Sequence, residues 1–170
     1  MVRTKNRIKG TAAAMVALFA ALAMQGAGAP AAFAAGGSDT PDTRSWATDP
    51  VIDQMKSLAA GNNWPAAQAL MRDAVAKNSQ SADYNNLYAF AIRKGANPDM
   101  NLVFKHYNEA LRIDPKHRGT HEYIGEAYLM TGNLAKAKEH LTALDRLCTF
   151  GCEEYTDLKK AVAAYEAQKK

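Results

Sequence analysis

Three helical segments carry the same apolar spacing at nearly constant intervals, and that recurrence limits the fold more than any other feature. Ala67, Met71 and Ala74 stand at positions i, i+4 and i+7. Val103, Tyr107 and Ala110 repeat the spacing 36 residues later, and Ala137, Leu141 and Leu144 repeat it 34 residues after that. Each triplet marks one face of a helix with 3.6 residues per turn. A helix pair recurring at about 34 residues predicts a solenoid. One hairpin cannot bury both of its faces, whereas stacked hairpins share a continuous core, so about three are needed for stability.

The punctuation between these segments predicts seven helices. Asp49-Pro50 supplies an N-cap followed by a proline at the first helical position, and Gly61-Asn62-Asn63 ends that helix. Trp64-Pro65 opens the second. The third runs over about 82–94 and stops at the Gly95 to Pro98 break. The fourth covers about 99–113, the fifth about 118–130 and the sixth about 134–147. A seventh follows Cys152 to the end, with Tyr155, Leu158, Ala161, Val162 and Tyr165 on one stripe. No segment alternates with period two, so no strand is expected.

In the last hairpin, His121, Ile124, Gly125 and Tyr128, followed by Ala137 and Leu141, resemble the tetratricopeptide pattern W-x2-L-G-x2-Y…A-x3-F. Ala110-Leu111-Arg112-Ile113-Asp114-Pro115 resembles that repeat's closing segment. The resemblance covers about 48–151 and implies an all-α solenoid of three hairpins, at about 48–81, 82–117 and 118–151. The middle repeat matches after a two-residue insertion near Gly95 to Asp99, with Ala89 at the small position. In the first, only the second helix fits. Residues 152–170 resemble the solvating cap helix of such arrays, with Lys159, Lys160, Lys169 and Lys170 on its wet side. Gly125 and Ala137 are expected where the two helices of a repeat cross.

The beginning of the chain reads differently. Arg3, Lys5, Arg7 and Lys9 precede an apolar stretch from Thr11 to Met24, then small residues leading to Ala32-Phe33-Ala34. That order predicts a signal peptide over 1–34, cut after Ala34. Ala27-Gly28-Ala29 is a second candidate, but Pro30 would follow the cut. An uncleaved anchor is the alternative, because about 20 apolar residues span a bilayer. Residues 35–48 read as a flexible lead-in. The leader also distorts the charge. Of 21 Lys+Arg, four lie before residue 35, which leaves 17 against 17 Asp+Glu. Without a concentrated basic face, nucleic-acid binding is not expected. Stable membrane insertion is not expected either, once the leader is removed.

Few residues suggest chemistry. Cys148 and Cys152 are the only cysteines. Export would place them in an oxidising compartment, where a disulfide would pin the last helix for about 2 kcal/mol. A redox pair is the alternative, since Cys152 sits near a helix N-terminus. Against that, the spacing is not C-x-x-C, and Glu153 and Glu154 disfavour a thiolate. His117 and His121 stand four apart and raise a metal reading, but His117 falls in a turn and His121 takes the packing position of the family's Trp. His106 and His140 occupy equivalent places in two second helices and are expected to face solvent or the next repeat. No G-x-S-x-G, P-loop or G-x-G-x-x-G occurs. No enzyme, cofactor or metal is therefore expected.

The tetratricopeptide resemblance implies that the first helix of each repeat lines an inner groove that takes peptides or partner helices. Carried onto this chain, the groove comprises Asp83, Asn86, Phe90, Arg93 and Lys94 from the middle repeat and Glu122, Glu126, Leu129 and Met130 from the last. Asn86, Arg93 and Lys94 resemble part of the set with which some members grip a terminal carboxylate, although Glu replaces the second basic pair. Phe90 and Met130 are the apolar anchors. The expected role is a protein-binding scaffold in the periplasm of a Gram-negative bacterium, with an unidentified protein or peptide as partner. The rivals are a thiol-active accessory protein and a metal-binding periplasmic protein.

Overall fold

The computed structural model describes residues 49–169. The expected signal peptide and lead-in lie outside the described residues. The described chain is all-helical: α1 (Pro50–Ala60), α2 (Trp64–Lys77), α3 (Ala82–Lys94), α4 (Met100–Ile113), α5 (Arg118–Met130), α6 (Leu134–Leu147) and α7 (Glu153–Gln168). No strand occurs among the described residues.

Each helix starts where a side chain can satisfy its free N–H groups. Asp49 Oδ1 accepts from the Val51 and Ile52 amides at 2.8 and 3.4 Å. Asn63, Ser81, Asp99 and Asn133 play the same part for α2, α3, α4 and α6. The turns inside the first and third hairpins are equivalent. Asn62 (φ 53°) and Gly132 (φ 81°) take the left-handed conformation that Gly and Asn tolerate best. The middle hairpin instead carries the longer Gly95–Asp99 connection, which is why its offset is 36 and not 34.

The helices form two layers. Along the array α1 packs on α3, α3 on α5 and α5 on α7, while α2, α4 and α6 do not approach one another. The chain therefore bends toward its odd-numbered helices, and their layer is the concave one. Three buried clusters follow one another, and each is completed by a helix from the next hairpin. Met55, Ala67, Met71 and Ala74 are closed by Ala91. Ala89, Ile92, Val103 and Tyr107 are closed by Ile124 and Ala127. Leu129, Ala137 and Leu144 are closed by Leu158 and Val162 of α7. Full burial of a side chain the size of Met71 or Leu144 contributes about 1.5–3 kcal/mol.

Gly125 is small for a further reason. A Cβ there would lie 2.6 Å from Leu158 Cδ2. The tightest contact at this position is with α7. The last helix thus occupies the place that the first helix of a fourth repeat would take. Lys159, Lys160 and Lys169 are exposed on its far side.

A candidate binding groove on the concave face

Aromatic rings run from the start of α2 onto the concave layer. Trp64, at the start of α2, meets Phe90 of α3 edge-on at 5.8 Å between centroids, and Phe90 meets Tyr123 of α5 at 4.7 Å. All three are half-buried. Lys94 lies with Nζ 5.8 Å from the Trp64 ring centroid and is otherwise exposed. Met130, 56% exposed, stands at the end of α5.

Arg93 does not do what its position suggested. It is 7% exposed. Its guanidinium lies 5.5 Å from the Phe90 ring and 5.7 Å from the Tyr123 ring. Nη2 pairs with Glu126 Oε2 at 2.7 Å, and Nε donates to Tyr107 Oη at 3.3 Å. Nη1 lies 3.9 Å from Met130 Sδ. Burial works against its charge, but Tyr107 and Glu126 outweigh it and hold the guanidinium more firmly protonated than usual. The Tyr107 hydroxyl is pushed well above the phenol range by burial. Arg93 and Glu126 are therefore a clasp between α3 and α5, not a free pair of groove charges. Their spacing in the sequence placed both on the concave face without showing that they face each other.

Asn86 is also withdrawn, at 5% exposure. Among the described residues its Oδ1 has no hydrogen-bond partner, and it is buried. Arg93 and Asn86 are both committed to the interior, so of the carboxylate-gripping set only Lys94 is presented. Asp83, another expected groove residue, is exposed and accepts from His117 Nε2 at 2.9 Å, which holds its carboxyl below the usual range.

The groove continues to an acid-lined cavity of about 290 Å³ between α5 and α7. Gly119, Glu122 and Tyr123 form one wall, and Glu153, Glu154 and Asp157 the other. Glu122 is pushed up to about 8, first by burial and then by Glu126, Asp157 and Glu154. Tyr123 is pushed up to about 12 by burial and by Glu122. Three of the four acids are already compensated: Arg118 lies 3.6 Å from Glu154, Lys160 lies 3.1 Å from Asp157, and Glu122 holds its proton up to about 8. That leaves Glu153 as the acid of this wall with no cation paired to it among the described residues. The reading of α7 as a solvating cap missed this wall. Glu153 and Asp157 stand i, i+4 on the first turns of the helix, and only the packing of α7 on α5 turns them toward the groove.

The remaining candidates are accounted for locally. Cys148 Sγ and Cys152 Sγ are bonded at 2.05 Å, and Cys152 Sγ accepts from the Tyr155 amide at 3.4 Å. Among the described residues, the one group of three metal-type donors is Cys148, Cys152 and Glu154, whose sulfurs are engaged in that bond. His117 and His121 do not converge. His117 Nδ1 caps α5, accepting from the Thr120 amide at 3.1 Å, while His121 faces Pro115 and His140. Asp83, His117 and Thr120 do form an Asp–His–hydroxyl line, with Thr120 Oγ1 2.9 Å from His117 Nδ1. Thr120 is fully buried, so no substrate reaches its oxygen. His106 and His140 turn inward to α3 and α5 of their own hairpins, where Asn85 and His121 offer hydrogen-bond partners. No helix among the described residues is long and apolar enough to cross a membrane.

No protein-family model matches this chain. No curated protein matches it either. Solved structures do. The type III secretion translocator chaperone SycD of Yersinia enterocolitica aligns with a TM-score of 0.61 at 14% identity, over 71% of this chain and 83% of that one. SycD in complex with a peptide of the translocator YopD aligns at 0.60, over 71% and 93%. PcrH in complex with the chaperone-binding region of PopD aligns at 0.58, again at 14% identity, over 71% and 92%. At this identity the shared property is the fold, an array of helical hairpins of the tetratricopeptide type.

Proposed function

We propose that this chain is a non-enzymatic, periplasmic protein-binding scaffold that takes a segment of another protein along its concave face. The observation that carries this reading is the half-exposed ring column Trp64–Phe90–Tyr123, held rigid by the Arg93–Glu126 clasp and opening onto the acid-lined cavity. Rings that keep one face open supply large contact area at little entropic cost, and binding energy concentrates on such anchors. A basic side chain of the guest would take its place at Glu153 or in exchange for Arg118 and Lys160, which pair with Glu154 and Asp157. SycD and PcrH, which share the fold, are solved with peptides of YopD and PopD, and this supports the same mode of use here. The basic-then-apolar leader and the bonded cysteine pair support an exported protein.

A photoreactive residue placed at positions 94 and 130 on the concave side, and at 105 and 108 on the exposed side of α4, tests the reading in cells. The same crosslinked partner is expected from 94 and 130 and from neither control. Equal crosslinking from α4 would overturn the placement of the groove.

A further inference from the structure

A polar contact joins the two helices of the second hairpin, and a chemically different contact occupies the same place in the third. In the second hairpin, His106 Nδ1 donates to Asn85 Oδ1 at 2.9 Å, and Asn85 Nδ2 donates to the Ser79 carbonyl at 3.0 Å and the Ser81 carbonyl at 2.9 Å. The 36-residue offset carries Asn85 onto His121 and Ser79 onto Pro115. The 34-residue offset carries His106 onto His140. In the third hairpin His121 Nε2 indeed lies 3.0 Å from the Pro115 carbonyl, and His121 Nδ1 lies 2.9 Å from His140 Nδ1. His121 is 9% exposed, and His140 is half-buried under the parallel ring of Tyr128 at 5.7 Å.

The hydrogens follow from the acceptors. A carbonyl only accepts, so His121 Nε2 carries its hydrogen and Nδ1 is bare. His140 Nδ1 therefore donates to it. The two joints then respond differently to acid. In the second, burial and Lys105 hold His106 below the free imidazole value, so acid costs this hairpin something too, but a protonated His106 still donates from Nδ1 to the amide oxygen of Asn85. In the third, one added proton settles on His140 Nε2 and leaves the bond intact. A second has only His121 Nδ1 to go to, where it sets two donors against each other at 2.9 Å.

We infer that the His121–His140 contact is an acid-sensitive joint, which releases α5 from α6 as the pair is driven toward double protonation, while the Asn85–His106 joint holds. The charged groups around the pair do not compensate. From α6, Glu139 favours a proton on His140 and Lys136 opposes it. Tyr128 of α5 contributes only its ring, backed by Phe104 of α4 at 4.6 Å, and the turn before α5 contributes only the Pro115 carbonyl. His140 is pushed down to about 4, first by burial and then by His121. Folded His140 thus binds its proton less readily than in the unfolded chain, and its contribution is lost as pH falls from about 6.5, the free imidazole value, toward 4. The inference does not depend on what the concave face binds.

His121→Asn provides the test, because it installs the acid-tolerant chemistry of the second hairpin at the equivalent place. Amide exchange, corrected for the intrinsic rate, is measured at pH 7 and pH 4.5 with Glu122→Gln introduced into both wild type and variant, because the raised Glu122 carboxyl of α5 gives a pH slope of the opposite sign. In wild type the protection of α5 and α6 is expected to fall at least tenfold more than that of α3 and α4. In His121→Asn the two hairpins are expected to fall together. A wild type whose hairpins fall together, or a variant that keeps the difference, overturns the inference. Should the variant not fold, the imidazole Cε1–H signals of wild type decide it. The pair is expected to take one proton while α5 stays intact. Two independent titrations near pH 6.5 with α5 unchanged overturn it.

Discussion

Arg93 and Glu122 show how a residue's role is set by what surrounds it. Both are concave-layer residues by sequence spacing. Arg93 is enclosed by two rings, a carboxylate and a phenol, and truncating one member of a buried pair leaves the other without compensation. Arg93→Ala is expected to cost about 3–5 kcal/mol in urea unfolding, the usual size for a broken buried pair. A loss below about 1 kcal/mol would mean that the clasp is no more than a surface bridge. Glu122 has the opposite problem. Its carboxyl titrates at about 8 in the folded chain against 4.5 as the ordinary value. The folded state therefore holds a proton that the unfolded state releases, and stability falls as pH rises from 4.5 to 8. Glu122→Gln removes this slope. Melting curves should show the variant gaining on wild type up to pH 9, with no difference below pH 4.5. A constant gap at every pH would contradict the assignment.

Helix boundaries were legible because each is fixed locally. Asp49 announces α1 as its N-cap, the fourth helix read from Asp99 starts one residue later with Asp99 as its cap, and the Gly95–Asp99 insertion explains the uneven offset. Which helix meets which was legible only in part. Gly125 reads as a crossing point in any repeat of this kind, but its partner, Leu158, belongs to a helix that the repeat pattern does not describe. Nor does periodicity show that Arg93 and Glu126, 33 residues apart, form a pair, or that Asn86 is buried. Spacing assigns a residue to a face, and only packing decides whether it is enclosed. The α5–α7 contact has its own test. Gly125→Val is expected to cost about 2–3 kcal/mol through overpacking against Leu158. Adding Leu158→Ala should recover part of that, so that the double variant is more stable than the two single effects summed. Strict additivity would place the crowding elsewhere.

At the scale of the whole molecule, stacking produces both the curvature and the groove. Three hairpins and α7 share three clusters of buried side chains, and bending toward the odd-numbered helices gathers Trp64, Phe90, Tyr123 and the α7 carboxylates on one surface. No single repeat contains that surface, which is why the ring column and the acid-lined wall were not visible in any one motif. The measurement that bears most directly on the account is the affinity of a peptide selected from a random library on this protein. The expected peptide carries an apolar residue close to a Lys or Arg. Its Kd should rise at least tenfold in Met130→Glu and in Asp157→Lys, and stay within twofold in Lys105→Glu on α4. A peptide rich in acids, or one whose Kd changes only with Lys105→Glu, would contradict the claim that this protein binds its partner on the concave face.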